Sequence, residues 1–293
     1  MRIVLTGASG QLGAYLVARL IAAGHDLVAW SGTDSGHRGG VPLVPVDLAD
    51  ASATEAALDA ADPALILHTA AISTAEAVRR DPERAFAVNI AATRRLADWC
   101  RRRGRRLVYT STDLVFDGTK PWNREEDLAR PVLAYGRTKL QAEPAVLAVL
   151  GGLVARVSLL YGPSRCGRES YFDRTIAALR RGEPQTLFED EFRTPLDLAT
   201  AADLLVRLAE SSAAGLIHVA GIERVSRYEL IRRAAIALGL DPALVRANRQ
   251  ADAPLPEPRP KDVSLETERL AGLLPEASRP SIEQAIRGLY DSL

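Results

Sequence analysis

Apolar positions along this chain fall into short β-branched runs separated by longer stretches of helical spacing. Arg2 to Thr6, Asp26 to Trp30, Val41 to Val46, Ala64 to Leu67, Arg106 to Tyr109, Leu153 to Leu160 and Leu216 to Ala220 read as seven strands,. The stretches between them carry helical patterns, as at Gly13 to Ala23 and Pro131 to Leu150. This alternation predicts an α/β fold built on a doubly wound parallel sheet with helices on both faces. Asp81 and Pro82 mark a helix start, as N-cap and first helical residue,. That helix should run through Leu96 and Trp99 to the cluster Arg101, Arg102, Arg103, Arg105 and Arg106, where cations and Gly104 close its C-terminus,. After Tyr161 the alternation fails. Residues 164–195 hold one helix, near Tyr171 to Arg181, and a long irregular loop, LFEDEFRTP. A helix at Leu198 to Glu210 and the last strand restore the pattern. From Gly221 onward come a helix, a stretch punctuated by Pro254, Pro256, Pro258 and Pro260, and a final helix near Ser281 to Tyr290. The segments therefore predict two units. Residues 1–163 with 192–221 form the alternating body, and 164–191 with 222–293 a smaller lid over the carboxyl edge of the sheet.

Composition narrows the possible partners. Lys plus Arg and Asp plus Glu each number 37, so the net charge is zero and gives no support to a nucleic-acid or anionic-membrane partner,. With two cysteines, Cys100 and Cys166, and no metal-ligand spacing, neither a disulfide framework nor a metal site is expected,. The chain opens directly in a strand, without the basic and apolar segments of a secretory leader, and the expected location is cytoplasmic,.

Chemistry concentrates where predicted strands end. The first is followed by Gly7, Ser9, Gly10, Gln11, Leu12 and Gly13, a glycine turn opening a helix. Its glycines suit a tight turn, room for a pyrophosphate and close helix–strand packing, which points to a dinucleotide. After the second strand stands Ser31 where an acid would read a free ribose 2′-hydroxyl. With Thr33 and Arg38 nearby, that substitution leans towards NADP(H) over NAD(H), although residues 32–40 also read as a plain polar loop,. Asp47 and Leu48 follow the third strand, Asp47 either meeting the adenine or forming a turn,. His68 reads as a packed, hydrogen-bonded residue, and the small Thr69, Ala70 and Ala71 behind it let the backbone lie close to a cofactor. The fifth strand runs into Thr110, Ser111 and Thr112, and the helix beyond carries Tyr135 and Lys139 four residues apart, on one face,. An ammonium beside a phenol lowers its pKa from about 10, making a titratable proton donor.

In TGASGQLG, HTAA, VNIAATRRLADWC, YTSTDLVFDG, YGRTKLQAE, RVSLLYGP, RTPLDLATAAD and RPKDVSLET the chain resembles the extended short-chain dehydrogenase/reductases, and among them the dTDP-4-dehydrorhamnose reductase family. The resemblance covers nearly the whole chain. It implies a nucleotide-sugar substrate, with Thr112 bonding the substrate carbonyl, Tyr135 as acid, and Lys139 holding the nicotinamide ribose and tuning Tyr135. It also implies Asn89 supporting the lysine through a water, Tyr161 and Arg193 at the substrate, and a homodimer packed through the helices flanking Asn89 and Tyr135. Departures from the family pattern include AAISTAEAVRRDPE after the fourth strand, Phe116 where many relatives carry tyrosine, and Arg193, closer to the sugar-nucleotide epimerases. Leu114 after Asp113 argues against a dehydratase, and no cysteine adjoins the hydroxyl as in the fucose-forming epimerase–reductases. Two other roles stay open: a 4-epimerase retaining NAD, and a non-catalytic NADP-binding subunit like the regulatory subunit of methionine adenosyltransferase.

Overall fold

In the computed structural model, which describes residues 1–291, the main sheet has eight strands. Their order is Gly215–Val219, Leu153–Val157, Arg106–Thr112, Leu65–His68, Arg2–Thr6, Asp26–Ser31, Val41–Pro45 and His37–Arg38. All neighbours pair in parallel except His37–Arg38, a short hairpin arm antiparallel to Val41–Pro45. That arm is the one strand of the sheet the hydrophobic pattern does not predict. From Arg2–Thr6 the chain first builds outward on one side, then crosses back to build the other side from Leu65–His68. The carboxyl ends of these two adjacent strands therefore mark the topological switch point, where open α/β sheets bind ligands.

Both faces of the sheet are covered. Ile3, Leu5, Leu16, Leu20, Leu204, Leu208 and Ile217 are among the fully buried residues of one layer; Val4, Ile66, Leu96, Trp99, Leu107 and Val146 lie in the other. Strands buried on both sides explain why the sequence runs are continuously apolar instead of alternating. The first turn is held tightly. Gly7 takes the left-handed φ of 74°. A Cβ on Gly13 would come within 2.1 Å of the Gly7 carbonyl, so no side chain fits where helix Gln11–Ala22 crosses the turn.

Helix boundaries follow their caps. Asp81 accepts from the Arg84 N–H and Pro82 opens its helix, while Gly104 closes Ala92–Arg103 in the left-handed conformation. Of the arginine cluster, Arg101, Arg102, Arg103 and Arg105 form exposed pairs with Asp98, Glu55, Asp59 and Asp62. Arg106 turns inward, donating to the carbonyls of Leu208 and Ala209 at the end of helix Leu198–Glu210. The helix carrying Tyr135 spans Ala134–Leu147, starting later than its apolar pattern suggests. Leu133 is buried with extended backbone and serves as the N-cap residue.

The expected irregular loop at 187–195 is instead strand-rich. Gln185–Phe188 pairs in parallel with Val245–Asn248, Leu196–Asp197 in parallel with Leu160–Tyr161, and Phe192–Arg193 antiparallel with Val225–Ser226. Around these pairs a separate apolar cluster joins Tyr161, Phe172, Ile176, Leu187, Leu230, Val245 and Ile286. Val263 and Leu265 leave that cluster and pack with Val115, Phe116 and Ala220, and Leu270 joins the sheet core. Among the described residues no helix is long and apolar enough to cross a membrane. Both cysteines are free and buried.

Candidate active site

A cleft of about 660 Å³ opens at the switch point, between the carboxyl ends of the strands and the second apolar cluster. Gly7, Ser9, Gly10, Gln11, Leu12 and Gly13 form its floor at one end, Ser31, Asp47 and Leu48 line its flank, and Thr69, Ala70 and Ala71 lie opposite. Tyr135, Lys139 and Tyr161 line it as well. Helix Gln11–Ala22 starts at Gly10 with no side-chain cap and no acid in its first turn, leaving its N–H groups and positive dipole end for an anion,.

Tyr135 and Lys139 are positioned by contacts on both sides of their helix. A Cβ on Gly136 would lie 2.1 Å from the Leu114 carbonyl, so glycine is what lets this helix seat against the strand end. Asn89 is 1% exposed, in a π-helical stretch, Phe86–Ala91. Its amide exchanges two bonds with the Ile72 backbone, accepting at 2.8 Å and donating at 3.0 Å, and donates to Thr138 Oγ1 at 3.0 Å. Thr138 in turn donates to the Tyr135 carbonyl at 2.8 Å. Asn89 thereby joins the loop after Leu65–His68 to the helix of Tyr135, and does not itself line the cleft.

Behind Lys139 lies a buried stack. Its Nζ sits 4.1 Å from the Tyr109 ring centroid, and that ring stacks on His68 at 5.4 Å. Thr6 Oγ1 accepts from the Thr69 and Ala70 N–H groups, so its own proton goes to His68 Nδ1 at 2.7 Å. The proton of His68 is then on Nε2, facing Thr93 Oγ1 at 2.9 Å, which donates onward to the Asn89 carbonyl,. Burial, helped by the Lys139 charge, pushes the His68 pKa down to about 3, so the ring is a neutral spacer, the packed role expected of it.

Burial dominates the two candidate acids and bases. It lowers Lys139 to about 7, with Glu143 one turn away opposing the shift. It raises Tyr135 above its ordinary value, and the Asp113 charge adds to the rise. The direction for Tyr135 is opposite to that expected from i,i+4 pairing with a lysine, because desolvation of the phenolate outweighs that attraction. Glu143 is 2% exposed and bound bidentately by Arg156, at 3.0 and 2.7 Å, while Ser111 Oγ donates to it at 2.6 Å.

Besides Asn89, three expected residues are placed elsewhere than at the cleft wall. The Thr112 hydroxyl is turned to the short helical turn after its strand, accepting from the Leu114 N–H and facing Asp113 Oδ1, each at 3.2 Å; Thr110 and Ser111 form the wall instead. Arg38 donates through both terminal nitrogens, at 3.0 Å, to the carbonyls of Arg165 and Cys166. Its fork is used in holding a loop and not in flanking Ser31, whose hydroxyl bonds the Asp34 carbonyl. Arg193 is 3% exposed and closed in by Glu191 at 3.1 Å, Asp113 at 3.6 Å and the Phe192 carbonyl. Glu191, fully buried, also binds Arg227 and Arg259. Buried carboxylates draw Arg193 inward, away from the cleft.

The cleft also holds cations that sequence reasoning did not single out. Arg84 binds Asp47 at 2.7 and 3.1 Å and holds its carboxyl below the usual range. Arg168 and Arg227 line the cleft from the other side. Only the helix-start signal at Asp81-Pro82 pointed near any of them; Arg168 and Arg227 carry no local signature.

Known proteins resemble this chain in sequence and fold. Residues 1–291 match the family described as the RmlD substrate binding domain. The chain is 31% identical over 285 residues to dTDP-4-dehydrorhamnose reductase of Mycobacterium tuberculosis, covering 94% of this chain and 88% of that protein. It is 32% identical over 282 residues to methionine adenosyltransferase 2 subunit beta of Bos taurus, covering 93% and 82% respectively. The crystal structure of dTDP-4-dehydrorhamnose reductase from Bacillus anthracis in complex with NADP shares the fold at a TM-score of 0.86 and 22% identity, over 100% of this chain and 99% of that one. With the family model spanning all the described residues, this chain belongs to the RmlD substrate binding domain family, that of the dTDP-4-dehydrorhamnose reductases.

Proposed function

We propose that this protein is a nicotinamide-dependent reductase of a keto group on a nucleotide-activated sugar, with NADP(H) preferred over NAD(H). The observation that carries the reading is one continuous cleft. It brings Tyr135 and Lys139 together with the glycine turn and the uncapped start of helix Gln11–Ala22. Support comes from the M. tuberculosis relative, whose name states a reductase of this kind. The residues present fit a dinucleotide: the Gly7–Gly13 turn and the helix N-terminus suit its pyrophosphate, and small residues 69–71 suit its ring face,. Reduced nicotinamide, when bound, supplies the hydride.

Within this reading Tyr135 gives a proton to the oxygen of the carbonyl as charge develops there, and its high pKa keeps it protonated before that moment,. Lys139 holds the ribose and stabilises the phenolate left behind. Thr112 reaches the carbonyl if its hydroxyl exchanges Asp113 for the substrate oxygen; Ser111 stands nearer the cleft but donates to Glu143. Tyr161 and the lid, residues 164–191 with 222–293, flank the sugar, with Arg227 the cation best placed for its diphosphate. The same reading takes a cytoplasmic enzyme without nucleic-acid or membrane partners, in keeping with the zero net charge. It pairs two copies through helices Ala92–Arg103 and Ala134–Leu147, which pack side by side.

Tyr135→Phe tests the assignment. Turnover of dTDP-linked ketosugars, followed by loss of nicotinamide absorbance, should fall about 10²–10⁴-fold with cofactor affinity little changed. Undiminished activity would overturn the mechanism. The similarity to methionine adenosyltransferase 2 subunit beta favours a second reading, a dinucleotide-binding partner subunit. Wild-type protein that binds cofactor but reduces no member of a broad ketosugar panel would favour it, and product formed without net cofactor change would favour an epimerase.

A further inference from the structure

The segment from Pro163 to Ser170 crosses the glycine turn as a strap, and its attachments come from three separate parts of the nucleotide-binding half. Tyr15, on the helix after the turn, donates to the Pro163 carbonyl at 2.7 Å, and the Arg165 guanidinium lies 4.8 Å from the Tyr15 ring. Arg38, from the hairpin arm, holds the Arg165 and Cys166 carbonyls. The turn itself is bound twice, by Gln11 Nε2 donating to the Arg168 carbonyl and by Arg168 Nη2 donating to the Ser9 carbonyl, both at 2.6 Å. This last bond fixes a guanidinium at the rim of the turn that lines the cleft, with further N–H donors beside it,. The uncapped helix start supplies N–H donors to the same space.

We propose that Arg168 is a cofactor-binding residue that holds the dinucleotide pyrophosphate from the rim of the glycine turn, and that the strap must lift for the dinucleotide to leave. The inference rests on the proposed dinucleotide dependence. A planar fork facing two adjacent phosphates suits arginine better than lysine. It also gives Arg38 a role that its position in sequence conceals: it is an anchor for the strap.

The test compares wild type with Arg168→Gln, at an exposed position, with the melting temperature of each measured alongside. NADPH, NADH and dTDP are titrated separately, and release of prebound NADPH is timed by stopped-flow. Because both cofactors carry the pyrophosphate, both should bind roughly 10–100-fold more weakly, by the same factor, with faster NADPH release and unchanged dTDP affinity. Unchanged affinity for both cofactors would overturn the inference. So would a loss confined to NADPH, which would assign Arg168 to the 2′-phosphate, or one confined to dTDP, which would assign it to the substrate. Wild type that binds neither cofactor would overturn the functional reading itself, a failure visible before the variant is tested.

Discussion

Removing the charge of Glu143 tests how the core behind Lys139 is held. Glu143→Gln keeps the shape of the side chain but leaves Arg156, 4% exposed, without its counter-ion in a site also bounded by the Phe116 ring at 5.1 Å. Breaking a buried pair in this way costs about 3–5 kcal/mol, since the remaining charge is neither hydrated nor paired. At about 2 °C per kcal/mol for a chain of this size, the melting temperature should fall by roughly 6–10 °C. Ser111 adds to the loss, because its proton goes to the same carboxylate. Asp98→Asn, which breaks the exposed pair with Arg101, is the control and should change stability by under about 1 kcal/mol,. The double variant Glu143→Leu with Arg156→Met removes both charges, and calorimetry should show it recovering most of the lost stability. A second effect runs through the active site. Glu143 opposes the burial that lowers Lys139 to about 7, so Glu143→Gln should lower Lys139 further and leave more of it neutral at neutral pH,. A Glu143→Gln protein melting within 2 °C of wild type, or one that the double variant fails to rescue, would refute the reasoning.

Acid should destabilise the fold through two buried histidines. His68 and His218 are held neutral, with pKa values near 3 and 4 against about 6.5 unfolded, so the unfolded chain binds more protons below pH 6.5 and stability falls from there towards pH 3–4,. Each should cost about 2 kcal/mol at pH 5 relative to pH 8, and urea titrations showing no such loss would count against neutral burial. Ser31→Asp should shift cofactor preference from NADPH towards NADH, because a carboxylate repels a 2′-phosphate and accepts from a 2′-hydroxyl; paired titrations giving tighter NADH binding by wild type would remove the premise. Arg193→Ala should act mainly on stability, by about 3–5 kcal/mol, since it strands Asp113 in the interior and takes from Glu191 one of its three arginine partners,. An Arg193→Ala protein with normal melting but a raised KM for nucleotide sugar would restore the substrate contact implied by family resemblance.

Much of the sheet was legible because parallel strands buried on both faces leave continuous apolar runs, and caps such as Asp81 and Gly104 act locally. The strands within 185–197 left no such trace. Each is two to four residues long and pairs with a partner distant in sequence, as Gln185–Phe188 does with Val245–Asn248. The turn from Gly7 to Gly13 and the Tyr135–Lys139 spacing were legible for the same reason as the caps, since their geometry is set within a few residues. Arg38 and Arg193 were harder. Sequence shows that a cation stands near a strand end, but whether it faces ligand, backbone or a buried carboxylate depends on segments over a hundred residues away in the first case. In the second it depends on Glu191, Asp113, Arg227 and Arg259 converging.

The zero net charge conceals a segregation that bears on ligand choice. Along the cleft stand Arg84, Lys139, Arg168 and Arg227; Arg84 is paired with Asp47, the only carboxylate among the lining residues, and Arg227 shares the buried Glu191 with Arg193 and Arg259. Acids elsewhere balance the total, many of them in exposed pairs such as those of Arg102 and Arg103 on the far helix. A low-dielectric cleft with surplus positive charge concentrates anions far more than the whole-molecule charge suggests. Two phosphate-bearing ligands meeting end to end, a dinucleotide and a sugar nucleotide, would match cations placed towards both ends with an apolar, proton-donating middle. The positions agree with that demand: Arg168 stands over the glycine turn, Arg227 beside the second apolar cluster, and Tyr135 with Lys139 on the helix between the two halves. Arginine at the two outer points keeps its charge at any working pH, whereas the group asked to change protonation lies where burial has already moved its neighbour's pKa to about 7,.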